Sequence, residues 1–255
     1  MVKNVSGRVV FVGAGPGAPD LITVRGLRLL QQADVIIHDA LPGDALLQEI
    51  PTTTKIVPVG KRCGVHSSTQ EEINAILVRE ALQGGLVVRL KGGDPGIFGR
   101  LGEEMDHLAS RGIPFEVVPG VTAATAAGAD AAFPLTHRGK AASVTFLTGH
   151  CADGTDQNWK AHVQTGATLC LYMGAKALAS VAVKLIAAGA PANLPIRLLS
   201  KVSQDGASDV LTTLDDLATG KVDVAVLPTP LIAVVGAVVA PPRHAGLMGR
   251  IAAFA

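Results

Sequence analysis

The sequence predicts an α/β protein built on a mainly parallel sheet, and three observations carry that expectation. Short β-branched runs alternate with longer stretches of helical period. A hydrophobic fraction of 48% with only 3% aromatic and 17% charged residues implies an aliphatic core of Ala, Val, Leu and Ile. At about 150 residues per domain, a chain of 255 residues provides one large or two modest domains, each able to bury a core.

The elements follow in order. RVVFVG at 8–13 is the first strand, and LRLLQQA the helical stretch after it. VIIH at 35–38 precedes DALLQEI, and KIVPV at 55–59 precedes a long helix. That helix is the clearest: Ser68 and Glu71 have capping-box spacing, Ile73, Ile76, Leu77 and Ala81 share a face, and Gly84-Gly85 ends it. LVVRLK at 86–91, the loop GGDPGIFG, a helix through GEEMDHLAS and the strand FEVVP at 115–119 complete the first series. A second series has strands SVTFLTG, TLCLYM, IRLLS and LIAVVG, separated by helical or looped stretches. Pro134 and the polar THRGK place a domain boundary near residue 138, giving domains 1–138 and 139–255, with a loosely attached tail from about 241.

Charge and cysteines exclude several classes. Lys and Arg number 22 against 21 Asp and Glu, and neither half is a polycation, so neither a nucleic acid nor an anionic membrane is expected as partner. The apolar run LIAVVGAVVA is about ten residues, short of the ~20 that cross a bilayer. The N-terminal run ends in a Gly/Pro turn and Asp20 rather than at a secretion-signal cleavage site. Cys63, Cys151 and Cys170 fit neither a disulfide framework nor close metal spacing and read as buried thiols in a reducing, cytoplasmic setting. His38, His137 and His150 lie beside motifs without regular ligand spacing, so no metal site is expected.

Gly13-Ala14-Gly15-Pro16-Gly17-Ala18 after a strand matches G-x-G-x-x-A, with Asp39 at the end of the second strand. Against a dinucleotide site, Pro16 and Pro19 remove backbone donors, and the helical pattern starts only near Leu21 to Thr23. A nicotinamide or flavin site, a structural turn and another ligand's site all remain open on these residues alone.

An ordered set of motifs goes further: VGAGPGAPDLIT, ADVIIHDAL, VGKRCG, QEEIN, VVRLKGGDPGIFGR with GEE, EVVPGVTA, PLTHR, TGH and YMG. Over roughly residues 8 to 240 this closely resembles the uroporphyrinogen-III C-methyltransferases of the tetrapyrrole methylase family. VGKRxG, RLKGGDPxIFGR and PLTHR favour that branch over other precorrin methyltransferases. The resemblance implies the two-domain α/β fold of the class III methyltransferases with an active-site cleft between domains. It also implies a homodimer and S-adenosyl-L-methionine (SAM) as methyl donor, leaving S-adenosyl-L-homocysteine. The implied reaction is methylation of uroporphyrinogen III at carbons 2 and 7, giving precorrin-2 for siroheme or cobalamin. No oxidase, ferrochelatase or dehydrogenase domain is expected within these 255 residues beside the match.

By motif position the resemblance places SAM contacts at Pro16, Gly92, Gly93, Asp94, Ile97, Thr122, Ala123 and Met173, with Val202 and Ile232 beside them. Asp39 and Lys61 match the family's proton acceptor and proton donor. A substrate with eight carboxylates calls for cations, and Arg62, Arg89, Lys91, Arg100 and Arg138 are the candidates. Arg25, Arg28, Arg79 and Arg111, on expected helices, read as solvated faces. Gly96, Leu101 and Asp130 depart from the family pattern at the walls of the site, which motivates a non-catalytic binding module as a rival reading.

Overall fold

A computed structural model describes residues 7–39, 44–60, 68–149 and 156–240. By its contacts the chain divides into two compact units, Met1–Ala126 with Val202–Gly206 and Ala127–Lys201 with Ala207–Ala255. The division therefore falls ahead of residue 138. The tail from 241, with Lys61, Arg62, Cys63, His150 and Cys151, lies outside the described residues.

In the first unit, β1 (Gly7–Gly13), β2 (Val35–His38), β3 (Lys55–Pro58), β4 (Gly85–Lys91) and β5 (Phe115–Val118) form one sheet in the order β3-β2-β4-β1-β5. Every pairing in it is parallel. The connecting helices are α1 (Val24–Gln32), α2 (Asp44–Gln48), α3 (Gln70–Leu82) and α4 (Leu101–Ala109). Strand alternation explains the layering. Val10, Val12, Ile36, Val88 and Leu90 pack with Leu30 of α1 and Leu46 of α2, while Val9, Phe11, Ile37 and Val87 pack with Leu77 of α3 and Leu108 of α4. A parallel sheet covered on both faces reads as a continuous apolar run, which is why these strands stand out in the sequence.

The capping box of α3 sits one residue later than the sequence reading placed it. Thr69 Oγ1 accepts from Glu72 N–H at 3.2 Å, and Glu72 Oε2 accepts from Thr69 N–H at 2.7 Å. STQEE offers the spacing twice, and the register burying Gln70, Ile73, Leu77 and Ala81 selects Thr69. Thr69→Ala should therefore cost about 1 kcal/mol in a urea melt, and Ser68→Ala less than about 0.5 kcal/mol.

α5 (Ala123–Asp130) follows β5. The second unit's sheet comprises β6 (Val144–Thr148), β7 (Thr168–Tyr172), β8 (Pro195–Ser200), β9 (Ser208–Thr213) and β10 (Leu231–Val235), in the order β6-β7-β10-β8-β9. Only β6 and β7 pair in parallel; the other pairings are antiparallel, so the mainly parallel expectation describes the first sheet and not this one. Its core joins Leu169, Leu171, Ile196, Leu198, Ala233 and Val235 to Leu178, Val181 and Leu185 of α7 (Leu178–Ala187). Trp159 of α6 (Trp159–Gln164) and Leu214 and Leu217 of α8 (Leu214–Ala218) close it. Cys170 is buried in β7, and burial pushes its thiol up to about 12, which leaves it a packing residue at neutral pH.

No helix among the described residues is long and apolar enough to cross a membrane. Among the same residues, no group of three or more His, Cys, Asp and Glu side chains could hold a metal ion.

Candidate functional site

Parallel strands present their carboxyl ends on one edge of the sheet, where open α/β sheets bind ligands. In the first unit that edge carries Gly13 at the end of β1, Asp39 after β2, Gly92 to Asp94 after β4 and Pro119 to Thr122 after β5. The loops are tied together by backbone. Ala14 N–H donates to Lys91 O at 2.8 Å, and Gly15 and Gly93 exchange hydrogen bonds at 3.2 and 2.7 Å.

Asp94 is the clamp of this arrangement. Its Oδ1 accepts from Gly96 N–H at 2.8 Å and its Oδ2 from Gly120 N–H at 3.0 Å, so backbone donors occupy both carboxylate oxygens. The glycines make the approach feasible. A Cβ on Gly120 would lie 2.2 Å from Gly93 O, and one on Gly13 would lie 2.6 Å from Gly120 Cα. Gly93 differs: its φ of +66° favours glycine, and the nearest described atom beyond its chain neighbours would be Thr122 Cα at 3.9 Å. An added Cβ there would meet Thr122 at ordinary van der Waals distance, without a clash. Pro16, Gly92, Gly93, Asp94, Ile97, Thr122 and Ala123 are all partly buried, forming a walled but accessible surface.

The glycine fingerprint does not build a dinucleotide site. Pro19–Leu21 forms a short 3₁₀ turn, and α1 starts only at Val24, capped by Thr23, so no helix N-terminus meets the loop. The strand order, with β4 between β2 and β1, also differs from the 3-2-1-4 order of the dinucleotide fold. Pro16 is held instead by Gln204, whose Nε2 donates to Pro16 O at 2.7 Å. No local sequence signal marks Gln204, because it is far away along the chain.

The structure corrects the expectation for two cations. Arg89 and Lys91 are 1% and 3% exposed and do not present free charge. Alternation along β4 turns Leu86, Val88 and Leu90 to one face and Val87, Arg89 and Lys91 to the other, against α3 and α4. There Glu104 of α4, 1% exposed, accepts from Arg89 Nε at 3.2 Å and from Lys91 Nζ at 2.8 Å. Gln70 Nε2 also donates to Glu104, at 3.3 Å. Burial and the neighbouring Arg89 pull the Lys91 ammonium below its ordinary pKa, partly offset by Glu104. Arg89 reaches from this cluster to Asp39, its NH2 group 2.6 Å from Oδ1. The Asp39 side chain is 29% exposed, and His38 Nδ1–H donates to the Asp39 carbonyl at 2.7 Å.

Glu104 is the residue that sequence reading left unassigned, and the signal was present. Two cations alternating with apolar residues inside a buried strand require a carboxylate, and GEE supplies it.

The other expected residues fall as follows. Arg100 is exposed in a bidentate pair with Glu103, at 2.8 and 2.6 Å; that pair raises the guanidinium pKa and lowers the carboxyl's. Arg138 is exposed. Met173, at the end of β7, is 61% exposed with φ of 53°, and Phe98 and Arg100 also have positive φ. Such conformations cost about 1–3 kcal/mol each and gather at ligand sites. Val202 and Ile232 are buried, Ile232 within the β10–β8 ladder.

These features define an α/β protein of the small-molecule-binding class, with glycine loops and the held carboxylates of Asp94 and Asp39 at the carboxyl edge of a parallel sheet. The chain belongs to the tetrapyrrole (corrin/porphyrin) methylases, whose family profile matches residues 8–218. It is 47% identical over 240 residues to the uroporphyrinogen-III C-methyltransferase of Paracoccus denitrificans, covering 93% of this chain and 83% of that protein. It is also 47% identical to siroheme synthase 1 of Yersinia pseudotuberculosis, over 91% of this chain but only 49% of that protein, so it spans about half the length of such synthases. The uroporphyrin-III C-methyl transferase of Thermus thermophilus, solved with S-adenyl homocysteine, superposes with a TM-score of 0.80 at 37% identity, covering 91% of this chain and 99% of that one. The cobalt precorrin-4 methyltransferase CbiF superposes at 0.81 with 28% identity, covering 92% and 96%.

Proposed function

We propose that this chain transfers methyl groups from SAM to uroporphyrinogen III, at carbons 2 and 7, giving precorrin-2 for siroheme or cobalamin. The observation that carries the reading is the clamped glycine surface at the first sheet's carboxyl edge, in a chain nearly half identical to a uroporphyrinogen-III C-methyltransferase. The surface fits the donor: with no side chain at Gly92 and Gly93 a ligand can approach the backbone, and the partly buried Ile97, Thr122 and Ala123 lie on the same loops. When bound, SAM supplies an electrophilic methyl on a sulfonium.

Residues holding SAM are Pro16, Gly92, Gly93, Asp94, Ile97, Thr122, Ala123 and Met173, with Val202 and Ile232 beside them. Asp94 acts there through the loops it clamps. The protein's part in an in-line displacement is to align the two carbons and exclude water. Transfer of that methyl to a pyrrole carbon would release the neutral thioether and leave a cationic ring with a proton to lose. Asp39 accepts that proton, and Lys61 acts as proton donor. Arg62, Arg100 and Arg138 meet the substrate's carboxylates, since Arg89 and Lys91 are buried against Glu104. The enzyme acts in the cytoplasm as a homodimer.

Purified protein given SAM and uroporphyrinogen III should yield a dimethylated tetrapyrrole. No methylated product despite demonstrated SAM binding would contradict the proposal and favour a binding module. Asp39→Ala and Lys61→Ala should each lower turnover by about 10²-fold or more while retaining SAM in calorimetry; unchanged turnover would remove their assigned roles.

A further inference from the structure

We propose that Arg89 is a positioning residue for the methyl transfer, a rigid fork that carries the Glu104 cluster to the catalytic carboxylate of Asp39. The inference rests on the reading of Asp39 as proton acceptor and deepens it.

The fork is fixed at all three of its nitrogens. Nε meets Glu104 Oε2 at 3.2 Å, NH1 meets the carbonyls of Leu90 and Ile37 at 3.4 and 3.5 Å, and NH2 divides between Glu104 Oε1 at 3.3 Å and Asp39 Oδ1 at 2.6 Å. Glu104 is fixed in turn by Lys91 and by Gln70, which also donates to Asn74 Oδ1 at 3.1 Å. A guanidinium so engaged has no rotamer freedom left, and its outward NH2 sets where the Asp39 carboxylate stands. Lysine, a single point charge, cannot bridge Glu104 and Asp39 in this way.

Charge supports a role beyond packing. Arg89, Lys91 and Glu104 together are two cations and one carboxylate, all nearly inaccessible to water. A cluster built only for stability would balance within the core. This one balances through Asp39, a partly exposed group at the strand edge where the glycine loops gather. The excess cation thus holds in place the carboxylate that must meet substrate.

The test is a double-mutant cycle on the full chain, with SAM and uroporphyrinogen III as substrates. Arg89→Lys, which keeps a cation beside Glu104, should lower kcat about 10²-fold, with the uroporphyrinogen III KM and the SAM Kd moving by less than about threefold. In an Asp39→Asn background the same substitution should lower kcat by less than about threefold, because the group it positions is already lost. Full multiplicative loss in the double variant would overturn the proposal and make Arg89 a structural residue. An Arg89→Lys protein with wild-type kcat would overturn it as well. If Arg89→Lys fails to fold, Arg89→Gln, which leaves Lys91 and Glu104 as a balanced buried pair, runs the same cycle with the same two outcomes. Failure of the underlying reading is distinct: wild-type protein would methylate nothing, or Asp39→Asn would turn over normally.

Discussion

Glu104→Ala should lower folding stability by about 3–5 kcal/mol, against about 5–15 kcal/mol for a whole domain, so the urea midpoint should collapse or the protein should fail to accumulate. The reason is electrostatic rather than volumetric. Arg89 and Lys91 are buried on the α3 and α4 face of β4, and Glu104 is their shared counter-charge. Its removal leaves two cations in an apolar layer with Asp39 alone to balance them. Lys91, already held below its ordinary pKa by burial and by Arg89, would shed its proton more easily still. A Glu104→Ala variant within about 1 kcal/mol of the parent would show that water reaches the cluster and that the burial argument fails.

Gly120→Ala should weaken SAM binding by at least about tenfold, roughly 1.4 kcal/mol, while leaving a folded protein. The added Cβ would stand 2.2 Å from Gly93 O and 2.8 Å from Gly13 Cα. Both neighbours are backbone, so no side-chain rotation relieves the contact. The loop after β4 or the loop after β1 must move, and with it the hydrogen bond from Gly120 N–H to Asp94. Gly102→Ala is the control. It lies in α4 with nothing within 4 Å of its added Cβ, so it should leave SAM affinity unchanged and raise helix stability by about 0.5–1 kcal/mol. Equal SAM affinity in Gly120→Ala and wild type would show that the clamp does not shape the cofactor surface.

The two predictions concern opposite ends of what the sequence discloses. β1, β2 and β4 were legible because a parallel strand covered on both faces is an unbroken apolar run, and such runs occur only where two helical layers exist to cover them. β9 was not, since Ser208, Asp209, Thr212 and Thr213 give it the polarity of a loop. It is an edge strand held by the β8 ladder and by the Arg197–Asp209 pair across it. α5 lacked a readable period because AATAAGAD has no large apolar residues to mark a face. The α3 capping box was recognised but misplaced by one residue, since local spacing fits both Ser68 and Thr69 and only the buried face distinguishes them.

The site divides in the same way. The GGD turn and Asp39 could be found because motif order is a property of the chain itself. The inward direction of Arg89 and Lys91 follows from strand alternation, yet charge count alone makes them resemble surface cations. Asp94 has two readings from sequence, ligand acceptor or turn clamp, and the distances to Gly96 and Gly120 show the clamp. Gln204 on Pro16 is a tertiary contact with no sequence periodicity behind it.

The central claim is that the loops joined by Asp94 form the surface on which the methyl donor rests. A crystal structure of the protein with S-adenosyl-L-homocysteine tests it directly. The account predicts the ligand against Gly92, Gly93 and Thr122, with the Asp94 carboxylate still bonded to the Gly96 and Gly120 amides. Ordered ligand elsewhere, with the Gly93 α-carbon facing bulk solvent, would contradict it.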